Sequence, residues 1–124
     1  IQLQTRYAKA WASWENALAS VNSDGHGGDA PGEYARAFAR LENHYFMNGG
    51  FLEHDGWIMD NVTRITHIPG YIVQGRYDMI CPPQRAWELA RAWPNAELRM
   101  IRNAGHALSE PGISAELVSI MDGL

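Results

Sequence analysis

Two residues of catalytic type, an aspartate and a histidine, follow two apolar runs in the second half of the sequence. Asp78 stands in the motif GRYD, just beyond the run 71–75, and His106 stands in the motif NAGH, just beyond the run 97–101. A carboxylate that accepts a hydrogen bond from one histidine ring nitrogen fixes the tautomer of the ring and stabilises its protonated form. The two residues therefore predict an acid and a general base for acyl transfer.

Each of these residues also has a structural interpretation. Aspartate is a common turn residue after a strand, and a Gly-His pair is common in loops, so either residue alone is more often structural. The joint order of strand, Asp78, helix, strand, His106 and helix favours the catalytic interpretation. It matches the end of the α/β-hydrolase triad, whose chain order is Ser, Asp, His.

The elements around the pair predict a parallel sheet. The run 71–75 follows Pro69-Gly70 and reads as a strand covered on both faces, because it is apolar without polar alternation. Pro82-Pro83 open a helix, residues 97–101 form a second strand, and a last helix covers 111–121. Alternating strands and helices imply parallel pairing, and the carboxyl ends of parallel strands are where ligands bind.

The first half of the sequence predicts helices. Four large apolar residues recur at helical spacing in the first segment, namely Tyr7, Trp11, Trp14 and Leu18. A second helix is predicted over 32–47, ended by Asn48-Gly49-Gly50, and a shorter helical piece over 52–62. We therefore expect a helical portion at 1–62 and an α/β portion at 63–124.

Composition excludes several classes of protein. The sequence has 124 residues, 46% of them hydrophobic, and a net charge of −4 without any block of like charges. Binding to nucleic acid needs a basic surface, and crossing a bilayer needs about 20 consecutive apolar residues, so we expect neither partner. Cys81 is the one cysteine, which excludes an internal disulfide and favours a cytoplasmic protein. Because the sequence begins with Ile1 rather than Met, we expect either that processing removed an upstream segment or that this is a piece of a longer polypeptide.

The motifs GRYDM-CP, NAGH, WASWENAL and LENHYFMNGGFL together resemble the C-terminal part of the proline iminopeptidases, which are α/β-hydrolases. The resemblance implies a serine peptidase that releases an N-terminal proline, with Asp78 as triad acid and His106 as general base. It also implies that Glu15 and Glu42 match two carboxylates of the cap domain that hold the substrate's α-amine. Cys81 matches a cysteine close to the active site, although a small buried thiol is an equally good interpretation.

The nucleophile that this resemblance requires is missing from the sequence. It should lie in a G-x-S-x-G motif on a strand-to-helix turn, and no such motif occurs. Residues 25–28, GHGG, are similar to an oxyanion loop but are placed between helices, so we interpret them as a linker. We expect the chain alone to be inactive, needing an upstream segment that carries the serine.

Three further expectations concern ligands and alternatives. No H-E-x-x-H or C-x-x-C motif occurs, so we expect no metal and no other cofactor. Two parallel strands leave open edges, so the isolated chain is expected to form a homo-oligomer or a strand-swapped assembly. The alternatives are a non-catalytic, self-associating fragment, or part of another α/β-hydrolase such as an esterase or an epoxide hydrolase.

Overall fold

The computed structural model describes residues 1–21 and 30–124, and the predicted linker at 25–28 lies outside them. The chain divides into two compact units. The first contains Ile1–Ala17 and Asn22–Trp57, and the second contains Leu18–Val21 and Ile58–Leu124. Within the described parts of the chain, no helix combines the length and the apolar character needed to span a membrane.

The first unit is built on two helices, α1 (Gln2–Ala19), most of which belongs to it, and α2 (Gly32–Met47). The bounds of α2 agree with the predicted 32–47. The residues at the centre of the packing are small: Ala8 and Ala12 of α1 are buried with Ala35 of α2. Alanine faces let two helices approach closely, which larger side chains at the same positions would prevent.

The large apolar residues of α1 do not form its buried face. Tyr7 and Trp14 are more than half exposed, whereas Ala8 and Ala12, one position beyond Tyr7 and Trp11, are buried. The spacing of the large apolar residues therefore predicted the helix correctly. The buried face is the adjacent one, which carries Ala8 and Ala12. Both faces carry apolar residues, and the smaller ones fit the helix contact.

The predicted helical piece at 52–62 is broken into shorter turns. A 3-10 turn at Gly49–Phe51 precedes the one-turn helix α3 (Trp57–Asp60), and a second 3-10 turn follows at Val62–Arg64. The backbone has φ of 64° at Gly50 and 88° at Gly56, in the left-handed region that glycine tolerates. A helix cannot continue through such residues, which explains the interruption.

The second unit contains the predicted parallel pair. Strand β1 (Gly70–Gly75) is followed by helix α4 (Pro83–Ala92), strand β2 (Ala96–Ile101) and helix α5 (Pro111–Asp122). The strands pair in parallel from Gly70 opposite Ala96 to Gly75 opposite Ile101, and α4 is the crossover between them. The predicted α/β fold class with two parallel strands and flanking helices is confirmed.

The expectation that β1 is covered on both faces is not met in the described part of the chain. Helices α4 and α5 both pack against the strands, yet Tyr71 stays 44% exposed and only Gly75 of β1 is buried. The sheet has two strands in the parts that the structure describes, so each strand keeps one unpaired edge. A pair of strands is too narrow to be covered as the centre of a larger sheet would be.

Candidate active site

The loops that follow β1 and β2 are bound to each other at the carboxyl edge of the sheet. The backbone N–H of Arg76 donates to the carbonyl of Ile101 at 2.9 Å, and the N–H of Tyr77 donates to the carbonyl of Ala104 at 3.0 Å. These bonds extend the parallel ladder past the ends of the strands. As a result, the loop that carries Asp78 and the loop that carries His106 run side by side.

Gly75 makes this close approach possible. A Cβ atom at Gly75 would overlap the carbonyl oxygen of Gly105 and would lie 2.7 Å from that of Ala104. No side chain fits in that space, since the obstructing atoms are backbone. The glycine that ends β1 therefore lets the two loops meet.

Asp78 and His106 form a hydrogen-bonded pair within the second unit. The distance between Nδ1 of His106 and Oδ2 of Asp78 is 3.0 Å. The side chain of Asp78 is 6% exposed, whereas that of His106 is 41% exposed. The carboxylate is thus buried, while the imidazole is partly exposed at the surface.

Both carboxylate oxygens of Asp78 accept hydrogen bonds. Oδ1 accepts the backbone N–H groups of Ile80 at 3.0 Å and of Cys81 at 2.8 Å, in the turn that precedes α4. Because an ionised carboxylate only accepts, Nδ1 of His106 must carry the hydrogen in their shared bond. When the ring is neutral, Nε2 therefore carries a lone pair, which a general base requires.

Gln74 is a residue of this site that the sequence interpretation missed. Its amide nitrogen lies 3.2 Å from Oδ2 of Asp78, and 3.1 Å from each of the carbonyl oxygens of Gly75 and Cys81. The side chain thereby holds the turn around the aspartate. A lone amide in the otherwise apolar stretch YIVQG was the available signal, since a polar residue in a strand usually has a polar partner.

The two predicted cap carboxylates lie in the first unit, Glu15 on α1 and Glu42 on α2. Oε2 of Glu42 accepts a hydrogen bond from the indole nitrogen of Trp11 at 2.5 Å. Glu15 stands one helical turn beyond Trp11 on α1 and is only 7% exposed. The rings of Trp14 and Phe46 lie 5.7 Å and 6.3 Å from the ring of Trp11. Glu42 is therefore bonded to a ring that lies within an aromatic cluster.

The cysteine and the metal ligands are the remaining features that the sequence analysis considered. Cys81 is exposed, and its backbone N–H donates to Asp78. Among residues 1–21 and 30–124, no cluster of three or more His, Cys, Asp or Glu side chains could hold a metal ion.

An acid and an imidazole in the loops after two consecutive parallel strands match the last two members of the α/β-hydrolase triad in kind and in chain order. Comparison with protein-family models gave no match. Curated proteins do match: a proline iminopeptidase of Arabidopsis thaliana is 48% identical over 120 residues, which are 95% of this chain and 32% of the relative. The proline iminopeptidase of Neisseria gonorrhoeae is 49% identical over 118 residues, covering 94% of this chain and 37% of the relative.

The same enzyme from Xanthomonas citri is 47% identical over 118 residues, 94% of this chain and 38% of the relative. These relatives confirm the resemblance to the proline iminopeptidases that the motifs predicted. It spans about a third of the length of the curated relatives that it matches.

Proposed function

We propose that this chain is part of a serine aminopeptidase that releases N-terminal proline from peptides. The chain contributes the acid and the base of the triad and two carboxylates for the substrate amine. The nucleophilic serine comes from an upstream segment, because the sequence has no G-x-S-x-G motif. The observation that carries the proposal is the 3.0 Å pair of Asp78 and His106 in a chain that resembles this family.

In the proposed reaction His106 moves the proton. Its Nε2 takes the proton of the serine hydroxyl as the oxygen attacks the scissile carbonyl, and later gives that proton to the leaving amine. Asp78 holds the Nδ1–H and stabilises the imidazolium between these steps. Water then enters as the second nucleophile, and His106 repeats the transfer to free the proline and the serine.

Glu15 and Glu42 provide the proposed selectivity for a free N-terminus. An aminopeptidase must recognise a cationic α-amine, and carboxylates do so through charge-assisted hydrogen bonds. The ring of Trp11, which is bonded to Glu42, favours the pyrrolidine ring and the cation as well. Other α/β-hydrolases, such as esterases and epoxide hydrolases, have no such need for paired carboxylates.

The same proposal assigns the two portions of the chain to domains and the protein to a cellular compartment. Residues 1–62 are a portion of the cap domain, and residues 63–124 are a portion of the hydrolase core. The protein works in the cytoplasm, for which the support is the presence of a single cysteine.

The proposal is tested by complementation. The chain alone should not hydrolyse a proline arylamide above the rate of buffer. Co-expression with the upstream part of the N. gonorrhoeae relative, which carries the rest of the family sequence, should restore turnover. The control is the same upstream part with its elbow serine changed to alanine. Turnover by the chain alone at the rate of the complemented protein would contradict the missing nucleophile.

We also propose that the isolated chain self-associates. Two observations favour this: the described sheet has an open edge on each strand, and several large apolar side chains are exposed, among them Phe46 and Met47. Sedimentation velocity of the chain should give dimers or larger species that dissociate on dilution. A monomer at all concentrations, with cooperative unfolding, would refute self-association and leave the enzymatic proposal intact.

A further inference from the structure

A second buried carboxylate lies in the loop region of the second unit, apart from the Asp78–His106 pair. Glu110 directly precedes α5, is 5% exposed, and its Oε1 accepts the backbone N–H of Val21 at 2.7 Å. A carboxylate is buried at a high cost unless it is hydrogen-bonded. Its bond to a residue 89 positions away in the sequence shows that it holds a distant segment in place.

That distant segment, residues 18–21, is also bonded to the backbone of the proposed base. The carbonyl oxygen of Ala19 accepts two N–H groups, those of His106 and of Ala107, each at 2.8 Å. The segment thus contacts the loop 105–110 at two points. The carbonyl of Ala19 accepts hydrogen bonds from the start of the loop, and the backbone N–H of Val21 donates to the carboxylate of Glu110 at its end.

Gly105 shows how closely the segment and the loop fit. A Cβ atom at Gly105 would lie 2.9 Å from the carbonyl oxygen of Ala19 and 3.3 Å from Oε1 of Glu110. Because Gly105 has no side chain, the loop can lie close to both the carbonyl of Ala19 and the carboxylate of Glu110. A movement of either partner would change the surroundings of the His106 backbone.

We infer that Glu110 is a positioning residue for His106. It holds residues 18–21 against the loop, and Ala19 in turn fixes the backbone N–H groups of His106 and Ala107. The imidazole is thereby fixed at two places, through its main chain by this segment and through Nδ1 by Asp78. The inference deepens the proposed function, because the importance of His106 rests on its role as general base.

Amide hydrogen exchange of the full chain tests the inference. Glu110→Ala removes the acceptor of Val21, so the amides of His106 and Ala107 should exchange about tenfold faster, as expected for a lost hydrogen bond to a charged group. Glu110→Gln keeps an acceptor oxygen and should retain the protection of the parent chain. The amide of Arg76, bonded to Ile101, is the internal reference and should not change in either variant.

The spectroscopic and kinetic readouts separate positioning from general stability. In Glu110→Ala the ¹⁵N resonances of the His106 ring should shift while those of His44 stay in place, and Glu110→Gln should restore them. In the complemented enzyme Glu110→Ala should lower kcat with little change in KM. Equal effects of Ala and Gln, a uniform loss of protection that includes Arg76, or unchanged exchange in the alanine variant would each overturn the inference.

A measurement on the parent chain covers the case in which Glu110→Ala does not fold. The amides of Val21, His106 and Ala107 should open as one unit, with the same free energy and the same dependence on denaturant. Different dependences would overturn the inference without any variant. If the exchange results agree but the complemented enzyme releases no proline, the proposed function fails and the positioning of the His106 loop by Glu110 remains.

Discussion

Asp78→Asn should lower kcat for proline release by about 10⁴-fold in the complemented enzyme, the effect of the same change in a serine protease triad. The asparagine keeps an oxygen for the N–H groups of Ile80 and Cys81, but it loses the hydrogen bond that Gln74 donates to Oδ2. Its amide nitrogen then faces Nδ1 of His106. Nδ1 must accept a hydrogen bond, the ring hydrogen moves to Nε2, and the lone pair that would take the serine proton is lost.

The control for this variant is Asp122→Asn at the exposed end of α5, which should leave kcat unchanged. The tautomer is measured directly on the ¹⁵N-labelled chain. In Asp78→Asn the chemical shifts of the two His106 ring nitrogens should show that the hydrogen lies on Nε2 instead of Nδ1. A loss of kcat smaller than tenfold, with the ring tautomer unchanged, would show that Asp78 is not the triad acid.

The arrangement of β1, α4 and β2 could be predicted from short-range signals. Pro69-Gly70 at the start of the first strand and Pro82-Pro83 at the start of the helix mark the boundaries locally, and parallel pairing follows from the alternation of strand and helix. The meeting of Asp78 and His106 followed from the same reasoning, because loops after neighbouring parallel strands share one edge. That part of the site is fixed by topology rather than by the packing of particular side chains.

The contacts of Gln74 and Glu110 could not be predicted in this way. Glu110 binds a backbone N–H 89 positions away, and a backbone donor leaves no signature in the sequence. The buried face of α1 was also missed, since helical spacing gives the period of an apolar stripe but not which of two apolar faces meets a partner. The choice between Tyr7 and Ala8 depends on the space that α2 leaves.

Replacing Glu15 and Glu42 by glutamine should impair proline release while sparing a neutral ester. Each change removes a charge at nearly unchanged side-chain size, and the glutamine of Glu42→Gln retains an oxygen for the indole N–H of Trp11, so the first unit should keep its packing. A hydrogen bond to a charged group contributes about 1.5–3 kcal/mol, so each variant should lower kcat/KM for a proline arylamide by about 10- to 100-fold. Hydrolysis of an uncharged acyl ester by the same complemented enzyme should stay within about threefold, because it has no amine to bind.

The control is Glu33→Gln, an exposed glutamate in the first turn of α2, which should behave as the parent enzyme with both substrates. Far-UV circular dichroism and thermal unfolding monitor the fold of each variant. A parallel loss of ester and arylamide hydrolysis would indicate that the glutamates support the structure rather than the amine. Full activity of the double variant toward the arylamide would remove the reason to prefer an aminopeptidase over an esterase, since the pair of Asp78 and His106 serves both reactions equally well.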